Sequence, residues 1–140
     1  MESSTVRNRL NVIIDAAKRS SAERRTRNDE ASRAYERFLE FAVPLFKQVA
    51  QALKVSGYGF TVFTPGGGVT LMSDKSAEDY IEVSLDSSGD RPEVLGRVSR
   101  ARGRRVIESE RPIAPKPVGD LTEDDLFEFV LKEIVPFVER

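Results

Sequence analysis

The chain has 140 residues, of which 39% are hydrophobic and 32% charged, and its formal net charge is −1. That supplies apolar material for one domain core and no overall charge that would by itself mark a nucleic-acid or membrane-surface protein. With no Cys and no His, disulfides, zinc fingers, thiol nucleophiles and imidazole bases are excluded, and a reducing, cytoplasmic setting is expected.

The chain opens on a polar lead-in, with Ser4 or Thr5 placed to cap a first helix. Val6, Leu10, Ile13, Ile14 and Ala17 follow helical spacing over three turns. Asn11 and Asp15 break this segment, so it does not read as a signal peptide. Lys18–Glu30 is polar throughout. It reads either as a solvated continuation of the helix or as a flexible loop, with Asp29 capping a helix that restarts near Glu30.

Ala31–Leu53 is the stretch around which the rest is organised. Ala31, Tyr35, Phe38, Ala42, Leu45, Val49 and Ala52 advance by alternating four and three residues, and Ala34, Leu39, Phe46 and Leu53 widen the stripe. A face that broad predicts packing on a sheet or bundle, not a bare coiled-coil seam. Pro44 interrupts the pattern without shifting its phase, which allows one kinked helix or two helices with Pro44 opening the second. The most apolar window, Phe38–Phe46, holds Glu40 and Pro44 and is too short to span a bilayer.

After Gly57 the period becomes two. Phe60–Thr64 and Val69–Ser73 read as strands around the Pro65–Gly68 turn, and Ile81, Val83 and Leu85 alternate with polar neighbours in the clearest strand. Glu93–Ala101 and Arg104–Glu110 form a hairpin with an Arg-rich tip, followed by a proline-bearing strap over Arg111–Gly119, where no further pairing is expected. Asp120 or Thr122 caps a last helix whose residues from Leu126 to Val138 are apolar almost all round, so burial on more than one side is expected. The fold class is α+β: an N-terminal helical arm, an antiparallel meander of four to five strands, and a C-terminal helix on one face of the sheet. The arm comprises residues 1–28 and a single α+β domain residues 29–140.

Four features stand out as candidate sites. Pro65–Gly68 lacks the Lys and the following helix of a phosphate loop and reads as a hairpin turn. Arg97, Arg100, Arg102, Arg104 and Arg105 offer an anion or nucleic-acid contact, but no aromatic interleaves with them, and the acids after Asp120 offer internal partners. Glu108 and Glu110 read more simply as cross-strand partners of the Arg strand than as an acid–base pair. The apolar patch Val6, Leu10, Ile13, Ile14 and Ala17 differs in kind. If the helix is continuous it lies beyond the domain edge and needs a partner; otherwise it folds back on its own domain.

No catalytic residues, metal ligands or cofactor are assigned. The expected function is a protein-interaction or regulatory module, not an enzyme, that self-associates, as a dimer or larger homo-oligomer, or docks on a partner helix through Val6–Ala17. The alternatives are nucleic-acid binding through the Arg hairpin and an anionic small molecule held between sheet and helices.

Overall fold

The computed structural model describes residues 1–139. A single helix, α1, runs from Ser3 to Val55. Five strands follow: β1 Phe60–Phe63, β2 Val69–Ser73, β3 Tyr80–Asp86, β4 Glu93–Arg102 and β5 Arg105–Pro112. A short 3-10 turn at Val118–Asp120 leads into the closing helix, α2, Glu123–Val138. The strands lie in chain order and every neighbouring pair is antiparallel, so the α+β meander holds with all five strands present.

The two readings left open for the N-terminal region resolve into one helix. Lys18–Glu30 is neither a loop nor a break, and Asp29 lies inside the helix instead of capping a second one. Seven of its thirteen residues are Lys, Arg or Glu, long unbranched side chains that lose little freedom in a helix. Ser4 and Thr5 also fall within α1: Glu2 occupies the cap position and contributes no side-chain bond. Pro44 stays inside the helix on its solvent side. The carbonyl that loses its partner there can be satisfied by water, which is how an interior proline is accommodated.

Only the second half of α1 has a sheet beneath it. It lies over β1 and β2, and Phe38, Ala42, Leu45 and Phe46 share one buried core with Val69 and Leu71 of β2, Ile81 and Val83 of β3, and Val94 and Val98 of β4. From α2, Leu126, Phe129, Val130 and Phe137 complete the same core. Gly96 sets how closely α2 approaches. A Cβ there would fall 2.2 Å from the Phe129 ring, so only glycine lets the ring sit on β4. The opposite face of the sheet carries no helix and is largely polar. Thr70 donates to Glu82, and Arg97 donates to Glu110 through Nε and a terminal nitrogen at 3.1 and 2.9 Å.

One local expectation needs correcting, and one choice between two cap residues is decided. Pro112 does not end pairing ahead of the strap; it is the last residue of β5, opposite Leu95. On an edge strand a proline can turn its missing donor outward, so it removes no ladder bond. At α2 the cap is Thr122, not Asp120. Its hydroxyl accepts from the Asp125 N–H while the Asp125 carboxylate accepts from the Thr122 N–H, a reciprocal pair.

Candidate interaction site

At 1.5 Å per residue the 53 residues of α1 extend about 80 Å. Every residue before Ala31 is exposed except the half-buried Asn28. The arm is therefore a helix about 40 Å long that stands clear of the domain it belongs to. Val6, Leu10, Ile13, Ile14 and Ala17 fall on one side of it, and none is covered: Leu10 is 52% exposed and Ile13 65%. At about 100° of turn per residue, this stripe keeps nearly the same angular position as the core stripe Ala31–Ala52. Ala17 and Ala31 are separated by 14 residues, two whole heptads, so the polar spacer breaks the stripe without rotating it far. Arg7 and Arg9 flank the stripe, one on each side.

The exposed side of α2 is the second unusual surface. Phe127, Leu131 and Val135 recur one turn apart and are 38, 43 and 41% exposed. Phe127 also lines a groove of about 350 Å³ between the helices, whose other walls include Leu45, Val49 and Ala52 of α1 and Glu123 and Asp124 of α2. The near-continuous apolar surface of α2 predicts burial on more than one side. Here α2 touches both the sheet and α1, while the flank formed by Phe127, Leu131 and Val135 stays exposed. The acids of α2 are only partly neutralised by cations: Asp125 is bound to Lys116 and Glu133 to Arg111, whereas Glu123, Asp124 and Glu128 have no ion-pair partner among the described residues.

The Arg cluster does not form one patch. Strand alternation sends Arg97 to the open face of the sheet, where it pairs with Glu110 at 2.9 Å, the expected cross-strand partner. Glu108 instead lies opposite Ser99. Arg100 and Arg102 lie on the helix-bearing face, Arg102 directly across from Arg105, and Arg104 is in the turn beside Gly103. Arg111, outside that cluster, is held by Glu133 and stands 5.3 Å over the Phe129 ring, so one tail acid does find an Arg of this hairpin. A further open groove of about 760 Å³ lies between α1 and the proline strap, with Arg27, Arg37 and Arg91 on its rim and Glu30 and Glu93 among them.

Neither the open α2 flank nor the strap groove is visible in sequence periodicity, because each depends on which helix faces which. The only available signal for the first was the excess of apolar positions on α2. No family model, no curated protein and no solved structure matches this chain significantly.

Proposed function

We propose that this chain is a protein-interaction module, not a catalyst, and that it self-associates through its N-terminal helix. One observation carries the reading: four large aliphatic side chains, Val6, Leu10, Ile13 and Ile14, stand exposed on one side of a helix that its own core cannot reach. Ala17 is separated from Leu45 by 28 helical residues, about 40 Å of rigid axis. Burying each such side chain is worth about 1.5–3 kcal/mol, and only another molecule can supply the burial. The polar spacer Lys18–Glu30 then has a physical role, holding the sticky stripe away from the domain so that two globules do not collide when arms engage.

Light scattering over a range of concentrations tests this. The wild-type chain is expected to have a multiple of the monomer mass. Leu10→Asp with Ile13→Asp is expected to return the monomer with the domain still folded, because neither residue belongs to the core. A wild-type monomer at every concentration contradicts the reading.

A further inference from the structure

We propose that the arm's acceptor is the open flank of α2, together with the facing edge of α1, on a second copy of this chain. The inference rests on the self-association reading and adds where the stripe goes.

Three observations converge on that surface. The first is shape and length. Val6 to Ala17 spans about 16 Å of helix, and Phe127 to Val135 about 12 Å, extended by the groove beside Val49 and Ala52. A helix stripe laid along a two-helix groove is an established way of burying i, i+4, i+7 anchors. The second is charge. Arg7 and Arg9 flank the donor stripe, and Lys18 and Arg19 follow it, while Glu123 and Asp124 line the acceptor groove and Glu128 stands beside Phe127. None of these cations or acids is ion-paired among the described residues. Two arms laid against each other in parallel would instead juxtapose the basic segments Lys18–Arg27, which is unfavourable. The third is access. The continuous helix keeps an arm from reaching the flank of its own chain, so the contact must be made between copies. If each of two chains lends its arm to the other, the two contacts are related by a two-fold axis and the assembly closes as a dimer.

The donor and acceptor can be broken separately. Leu131→Lys removes an apolar contact and sets a cation against the basic arm; Phe127→Ser serves as a second acceptor variant. Both sites are already substantially exposed, so the domain is expected to fold, as circular dichroism would verify. Either acceptor variant is expected to weaken self-association about tenfold or more, as truncation of an interface anchor does. Leu131→Lys mixed with the double arm variant Leu10→Asp, Ile13→Asp is then expected to form a mixed dimer. The intact arm of one chain meets the intact flank of the other, so the mixture associates more tightly than either variant alone. Acceptor variants that keep the wild-type mass, with no mixed dimer, would overturn the acceptor while leaving self-association standing, and arm-to-arm pairing would replace it. A monomeric wild-type chain would overturn both.

Discussion

At the scale of single residues, two contacts set the geometry on which the rest is built. Gly96 lies under the Phe129 ring, and a methyl group at that position has no room. Gly96→Ala is therefore expected to cost about 1–3 kcal/mol, the usual range for overpacking a tight interior, read as a lower urea midpoint. Tyr35 is the other contact. Its ring is buried in α1, stacked beside Phe38, and its hydroxyl donates to the Gly67 carbonyl at 2.5 Å. This ties the helix to the turn between β1 and β2, where Gly67 has a φ of +91° that other residues rarely adopt. Burial, aided by the charge of Glu82, pushes the phenol up from 10.0 to about 12. The folded state thus prefers the neutral ring. Its contribution is intact below pH 10 and is lost as the pH rises from 10 towards 12, where the unfolded chain ionises first. Tyr35→Phe is expected to lose about 0.5–1.5 kcal/mol at neutral pH and to show a shallower alkaline fall in the denaturation midpoint. Equal slopes for the two proteins would mean that the phenol is not held neutral by the fold.

At the scale of elements, α1 is the unusual member. Pro44 lies in its interior on the exposed side. An interior proline disfavours a helix by about 3 kcal/mol relative to alanine, part of which the backbone relieves by relaxing. Pro44→Ala is expected to stabilise the domain by about 1–3 kcal/mol in chemical denaturation; a loss of stability would mean that the proline sets a bend the packing needs. The uninterrupted phase of Ala31–Ala52 across Pro44 made the packed half of this helix legible in the sequence, because the period of a buried face survives a local defect. Alternation did the same for β3, where Ile81 and Val83 point inward and Glu82 and Ser84 outward. Lys18–Glu30 was not legible. A wholly polar segment has no buried face to mark its period, so helix and loop are equally consistent with it until the flanking turns are known. Pro112 misled for a different reason: whether a proline breaks pairing depends on its being at a sheet edge, which is a property of the assembled sheet. The Arg hairpin was found as a hairpin, but its guanidinium groups are divided between the two faces of the sheet by alternation, a separation that clustering in sequence conceals.

At the scale of the whole molecule, the chain is a small domain carrying a helical lever. The domain buries its own core: α2 is capped by Thr122, and Arg111 and Lys116 fasten it to β5 and the strap. Among the apolar side chains it leaves exposed, two sets recur at helical spacing, the stripe of the arm and the flank of α2, and charged residues of opposite sign border them. A solvated helix of this kind, with no tertiary contact, frays readily, since most helical stability comes from packing an amphipathic face. Amide hydrogen exchange across residues 6–17, recorded at low and high protein concentration, is therefore the most direct test. Protection that is slight at dilution, grows with concentration and disappears in the Leu10→Asp, Ile13→Asp variant is the expected result. Protection that is strong and independent of concentration would place the stripe against its own domain, and none at any concentration would leave it without a partner; either outcome contradicts the account.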